Sequence, residues 1–164
     1  DLMVKKLGVP FDEYGAVARR GRINRKVLQS LLNHIYFSMQ PPKSLDRNEF
    51  DLSAIEDLSI EDAAATLVAF TTETIAQSAK YFPQPSERWL ITGGGRHNSF
   101  MMEELSKRLG FKVMPVEDVG WNGDALEAQA FAFLAVRSLL NLPLSFPSTT
   151  GVPMELTGGD LYGL

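Results

Sequence analysis

Leu90-Ile91-Thr92-Gly93-Gly94-Gly95-Arg96-His97-Asn98 is the stretch that decides how this chain is read. Residues 88–92 have the apolar, β-branched and aromatic make-up of a buried strand. Three glycines then remove the side chains where that strand would end. Asn98 can cap a helix whose Phe100, Met101, Leu105 and Leu109 recur at helical spacing. Such a turn gathers backbone N–H groups and the positive end of a helix at one point, where a nucleotide is the usual guest.

Downstream, Gly110 ends the helix and residues 111–115 read as a second strand. Strand, helix, strand predicts a parallel pair with a right-handed crossover. Asn122 or Asp124 starts a last long helix, running to about residue 141. Ala125, Ala128, Ala132 and Ala135 give it a small-residue face, and Leu126, Phe131, Phe133, Leu134 and Leu139 supply bulk. A tail rich in Pro, Gly and Thr follows.

Upstream, the chain reads as helices. One covers residues 1–6 and closes at Gly8 and Pro10. Asp12-Glu13 opens a second that stops near Gly21, and Asn24 caps a third with Val27, Leu28, Leu31 and Leu32 on one stripe. Pro41-Pro42-Lys43-Ser44 is a rigid turn exposing a lysine and a hydroxyl. Ser59-Ile60-Glu61-Asp62 is a capping box for a long helix to about Lys80, and residues 81–87 break it with Pro83 and Pro85.

At 164 residues and 45% hydrophobic content, one domain with a real core is expected. A net charge of −4 argues against a nucleic-acid partner. Without cysteine there is no disulfide framework, zinc knuckle or cysteine nucleophile. No apolar run reaches membrane-spanning length. Two strands among five or six helices make a marginal sheet with open edges. Together with a start at Asp1, this leads us to expect a piece of a longer chain whose first strands lie upstream.

The residues alone leave the site open. Gly93-x-Gly95-x-x-Asn98 resembles a dinucleotide fingerprint with its third glycine replaced, and Glu117 or Asp118 stands where a ribose-binding acid belongs, ~20 residues on. The same turn could also bind nothing. Glu127 reads as a solvated acid of a first helical turn, and Asp124 as a cap. Lys43 and Ser44 suit either a phosphate or sugar contact or a surface turn. His34 reads as helix-end surface, His97 as a loop residue, Trp89 and Trp121 as packing, with Trp121 also placed to shape a sugar pocket before the Glu127 helix, and the Arg19, Arg20, Arg22, Arg25 and Lys26 cluster as a solvated face.

Three segments carry a more specific resemblance: residues 92–98, residues 123–135 and Pro147-Ser148-Thr149-Thr150-Gly151. With Pro41-Pro42-Lys43-Ser44, Arg47, Phe50, Gly8-Val9-Pro10-Phe11-Asp12 and Gly21, they resemble the C-terminal part of the anhydro-N-acetylmuramic acid kinases, in order over nearly the whole chain. The resemblance implies a helix-rich α/β fold. It would be most of the ribonuclease-H-like C-terminal domain of the sugar kinase, Hsp70 and actin type, spanning residues 1–164, with the N-terminal domain absent. It implies a bacterial cytoplasmic enzyme, homodimeric when intact. With ATP and Mg²⁺ the family opens 1,6-anhydro-N-acetylmuramic acid with water and phosphorylates O6, giving N-acetylmuramic acid 6-phosphate in cell-wall recycling.

By the same resemblance Gly93, Gly94, Gly95 and Asn98 would bind ATP, and Glu127 would face the substrate and orient water. Lys43 and Ser44 would lie in a loop where Leu45, Asp46 and Asn48 depart from the family's Pro-Lys-Ser-Thr-Gly-Arg-Glu. The general-base Asp and the N-terminal phosphate loop are expected upstream of residue 1, so the chain alone is expected not to turn over. Two rivals are a non-catalytic helical module that binds a nucleotide or partner, and a fragment of an NAD-dependent oxidoreductase.

Overall fold

Buried alanines set the centre of the molecule. In the computed structural model, which describes residues 2–163, the long helix at Ile60–Gln77 carries Ala63, Ala64, Ala65 and Ala69, each 6% exposed or less. Side chains this small let neighbouring helices approach from several sides. In chain order the helices are α1 (Leu2–Leu7), α2 (Ala16–Arg20), α3 (Arg25–Leu32), α4 (Ser53–Glu56), α5 (Ile60–Gln77), α6 (Ser99–Leu109), α7 (Leu126–Leu139) and α8 (Pro147–Thr150). Helices α1, α2, α3 and α6 all pack on α5. No helix among the described residues is long and apolar enough to cross a membrane.

Two apolar clusters hold this arrangement. Met3, Ala18 and Ala64 form one, covered by Val17, Ile60, Val68 and Phe100. Leu31, Ile55 and Ala63 form the other, with Val27, Leu58, Leu67 and Phe70. Polar ties act within single turns and between distant segments. Asp12 accepts from the Val17 and Ala18 N–H groups at 2.8 and 2.9 Å, satisfying the start of α2. Thr66, fully buried on α5, donates to the Asp62 carbonyl at 2.7 Å and accepts from the Asn24 N–H at 2.9 Å. Ser59 caps α5 by accepting from the Asp62 N–H.

The predicted parallel pair is present, but shorter than expected. Strands β1 (Leu90–Ile91) and β2 (Met114–Pro115) pair Leu90 with Met114 and Ile91 with Pro115. Pro115 has no N–H to extend the ladder, and glycines begin just beyond β1, after Thr92 alone. Asn98 caps α6 as predicted, accepting from the Met101 N–H at 2.9 Å, and Gly110 ends it at φ +80°. The molecule is therefore a helix-rich α/β arrangement with a small two-stranded parallel sheet.

Three expectations are corrected. Helix α7 begins at Leu126, not at Asn122 or Asp124, because the Asn122 side chain accepts from the Asp124 and Ala125 N–H groups and makes a turn there. Arg19 is not simply solvated: its guanidinium makes a two-pronged contact with Glu103 at 2.8 and 2.7 Å, tying α2 to α6. His34 is half-buried, its Nδ1 accepting from the Tyr36 N–H and its ring 5.2 Å from that of Phe50. The tail also has structure, in α8 and a bridge between Ser145 and Leu156.

A Cβ on Gly21 would lie 1.9 Å from the Glu61 carbonyl oxygen, whereas one on Gly94 would meet nothing within 4 Å. Gly21→Ala should therefore lower stability by about 1–3 kcal/mol or more in urea unfolding. Gly94→Ala should change it by no more than about 0.5 kcal/mol. Equal midpoints for the two variants would contradict this closeness of α2 and α5.

Candidate functional site

The glycine turn is held by an arginine that pattern reading passed over. Gly93 leaves β1 at φ +74°, and Gly94–His97 forms a 3-10 turn into α6. Within that turn Arg96 points inward, its side chain only 4% exposed. Its Nη1 donates to the Gly93 carbonyl at 2.9 Å, its Nε to Glu117 at 2.9 Å and its Nη2 to Asp124 at 2.6 Å. Glu117 also accepts from the Gly123 N–H at 3.1 Å, and Thr92 reaches the Gly123 carbonyl at 3.3 Å. One guanidinium thus joins the end of β1, the turn after β2 and the approach to α7.

Gly123 is required by this packing. A Cβ there would stand 2.5 Å from Arg96 Nε and 2.7 Å from Glu117 Oε1. The charges respond to one another. A hydrogen bond from Arg96, then its charge, holds the Asp124 carboxyl below the ordinary carboxylate range. Glu117 is held low first by its own backbone N–H, and further by Arg96 and the Gly123 N–H, against the opposing effect of burial. Asp124 is thus an ion-pair partner rather than a helix cap, and Glu117 is bonded to Arg96 and Gly123 rather than left free for a ribose.

The clamp shapes a cavity of about 500 Å³ in front of the turn. Thr92, Gly93 and Gly94 line one side, and Glu127 and Ala130 of α7 the other. Glu127 is exposed, and among the described residues its carboxylate has no hydrogen bond or ion pair. Gly94 also borders a second, mostly apolar cavity of about 560 Å³, shared with Gly95, Asn98, Phe11, Tyr14 and Met101. The five residues expected around ATP and water therefore lie on the two sides of one turn. Asn98 is tightly set, because a Cβ on Gly15 would fall 2.3 Å from its Oδ1. The close-approach glycine here belongs to the segment before α2, not to the third position of a fingerprint.

Lys43 lies elsewhere. Its ammonium donates to the Tyr36 carbonyl at 2.7 Å and reaches the Tyr81 hydroxyl at 3.4 Å, beside a separate cavity. Ser44 is exposed and does not line that cavity. Asp46, a departure from the family pattern, accepts from the Asn48 N–H at 2.8 Å and starts a short turn. His97 is exposed, 3.8 Å from Asp124. Among the described residues no three His, Asp or Glu side chains group as a metal site.

Asp124 and Glu117 both have folded-state pKa values below their unfolded ones. The clamp therefore contributes its full stability above about pH 5, beyond both unfolded values, and loses it as pH falls through the folded ones. In a carboxyl NMR titration Asp124 should show a midpoint below the ordinary ~3.9. Arg96→Lys, which lacks the planar fork, should move that midpoint back upward. An Asp124 midpoint indifferent to this substitution would contradict the clamp.

Comparison with known proteins points to one family. The sequence model described as "Anhydro-N-acetylmuramic acid kinase" matches residues 1–163. A protein of that name from Rhodospirillum rubrum is 55% identical over 162 residues, covering 99% of this chain and 43% of the relative. Another from Paramagnetospirillum magneticum is 52% identical, covering 97% and 46%, and one from Caulobacter vibrioides is 47% identical, covering 100% and 44%. The chain thus spans less than half the length of these curated relatives. No support remains for the oxidoreductase or non-catalytic readings. With the match running from one end of the sequence to the other, the chain belongs to the anhydro-N-acetylmuramic acid kinase family.

Proposed function

We propose that this chain is the ATP- and substrate-binding part of a kinase that opens 1,6-anhydro-N-acetylmuramic acid with water and phosphorylates O6. The observation that carries this reading is the unpaired carboxylate of Glu127 facing the same cavity as the side-chain-free backbone of Gly93 and Gly94. Phosphates of ATP would rest on that backbone and the adjoining start of α6, where N–H groups and the helix dipole favour negative charge. The base would lie across Gly94 in the neighbouring apolar cavity, against Phe11 and Tyr14, which are 65% and 63% exposed. Tyr14 sits at φ +54°, a conformation that is strained for a tyrosine. Nothing in the cavity argues for a dedicated Mg²⁺ cage. The ion would be held chiefly by the phosphates and water, with Glu127 the one unpaired carboxylate near it.

The chemistry follows from placing the anhydro sugar in front of Glu127. Water attacks the anomeric carbon, the C1–O6 bond breaks, and O6 takes the γ-phosphoryl group while ADP leaves. The water proton goes to a general base, which the family supplies as an Asp outside this chain. Glu127 accepts a hydrogen bond from the attacking water or from the sugar and fixes its line of approach. Phosphoryl transfer rests on positioning and charge together, so half of a site does not suffice.

Helix α7 supports the idea of a missing half. None of its residues is buried, and Phe131, Phe133, Val136 and Leu139 are 54–66% exposed. A helix apolar on every side is stable when covered on more than one. In the proposed ribonuclease-H-like domain, strands from the rest of the family's chain would provide that cover and complete the sheet beside β1 and β2. The intact enzyme would be a cytoplasmic homodimer.

In the full-length enzyme, Glu127→Gln should lower kcat by ~10²–10⁴-fold with little change in the KM for ATP, read by coupled ADP release. A variant with unaltered kcat would remove Glu127 from the reaction. Tyr14→Ala should weaken ATP binding by ~10-fold in calorimetry through loss of stacking, leaving the sugar KM unchanged. An unchanged ATP affinity would move the base out of the Phe11 and Tyr14 cavity.

A further inference from the structure

Two family-like segments play no part in the reaction above, yet they meet. Pro41-Pro42-Lys43 and Ser148-Thr149 line one cavity of about 720 Å³, larger than the one at the glycine turn. Their approach is close: a Cβ on Gly151, at φ +75°, would lie 3.3 Å from Pro42 Cγ. The walls are aromatic. Tyr36, Phe37, Phe70 and Tyr81 line the space, and the rings of Phe37, Phe50 and Phe70 brace one another at 5.2–6.0 Å. Thr74, Ser78, Ser148 and Thr149 border the same space; the Thr74, Ser78 and Thr149 hydroxyls donate to the Thr71, Ile75 and Phe146 carbonyls, which leaves their oxygens as acceptors.

The charge in this cavity has one sign. Lys43 and Lys80 line it, no Asp or Glu does, and neither lysine is ion-paired among the described residues. The two ammoniums flank one phenol. Lys43 Nζ lies 5.0 Å and Lys80 Nζ 4.8 Å from the centre of the Tyr81 ring. The Tyr81 hydroxyl is fixed by donating to the Met39 carbonyl at 2.9 Å. Bracing of the loop accounts for part of this, since Lys43 bonds the Tyr36 carbonyl and Lys80 the Phe37 carbonyl at 3.3 Å. An ammonium has three donors, however, and the contacts to Tyr36 and Tyr81 use at most two of Lys43's.

We propose that this cavity is a second ligand site, separate from the glycine turn, for a small anionic sugar. The C–H face of the ring lies on the aromatic walls, the hydroxyl oxygens of the cavity accept from the hydroxyls of the sugar, and Lys43 and Lys80 take its carboxylate or phosphate. Aromatic walls with a few placed polar groups are the usual make-up of such sites. The all-cationic lining selects against neutral sugars.

Amide NMR titration of the 164-residue chain tests this with three probes: N-acetylmuramic acid for the carboxylate, N-acetylglucosamine 6-phosphate for the phosphate, and neutral N-acetylglucosamine. At least one anionic sugar should shift the amides of Lys43, Tyr81 and Thr149, and the neutral sugar should not. Lys80→Gln, at an exposed position, should weaken that binding ~10-fold, as expected for loss of a charge-assisted hydrogen bond. Glu127→Gln should leave it unchanged. The proposal is overturned if no anionic sugar shifts these amides at ~10 mM, weaker than any useful site. It is equally overturned if the neutral sugar shifts them as strongly, or if the shifts fall only around Gly93 and Glu127.

Discussion

Everything at the glycine turn depends on the burial of one guanidinium. Arg96 is removed from water at 4% side-chain exposure, which would be costly for an unpaired charge. Three partners from three segments compensate it: the Gly93 carbonyl, Glu117 and Asp124. Because both carboxylates remain partly in solvent, they lose less hydration than a fully buried pair would. The planar fork, with its several fixed donors, is what lets one side chain set the spacing between β1, the turn after β2 and α7. A lysine in the same place could not hold three acceptors in fixed directions.

The local parts of this arrangement were legible in the sequence. Asn98 and Gly110 mark the ends of α6 because a side-chain cap and a left-handed glycine act within one turn of chain. The parallel pair followed from the spacing of two apolar runs, though not its brevity, since Pro115 acts through a ladder hydrogen bond it cannot make. What failed were the long-range choices. Asn122 and Asp124 are both cap-forming types, and nothing local says that Asp124 is drawn to Arg96. Glu117 stood at the right distance for a ribose acid, yet its partners lie on segments that pattern cannot place beside it. Only the glycine at 123, next to an acid, hinted at a close approach.

The candidate site shows the same division. That Gly93, Gly94 and Glu127 line one cavity is a consequence of the clamp, not of spacing. That Gly95 and Asn98 open onto the other side of the turn follows from the 3-10 geometry of residues 94–97. Lys43 was ambiguous because its fixing groups, the Tyr36 carbonyl and the Tyr81 ring, come from two different segments.

Helix α7 joins these observations. Helices α1, α2, α3 and α6 cover the alanines of α5 from several sides, so that half of the molecule has a core of its own. Helix α7 is instead fastened near its ends. Arg96 fixes Gly123 and Asp124 just before it, and Arg137 and Ser138 near its C-terminus bond the Pro143 and Gly158 carbonyls at 2.7 and 2.6 Å. Its middle presents phenylalanine and alanine to solvent. Glu127 stands one residue inside the fastened N-terminal end, so its direction toward the glycine turn is set by the clamp. Its stiffness would depend on the cover proposed for Phe131 and Phe133. The water-orienting role proposed for Glu127 needs both, and this chain itself supplies the first.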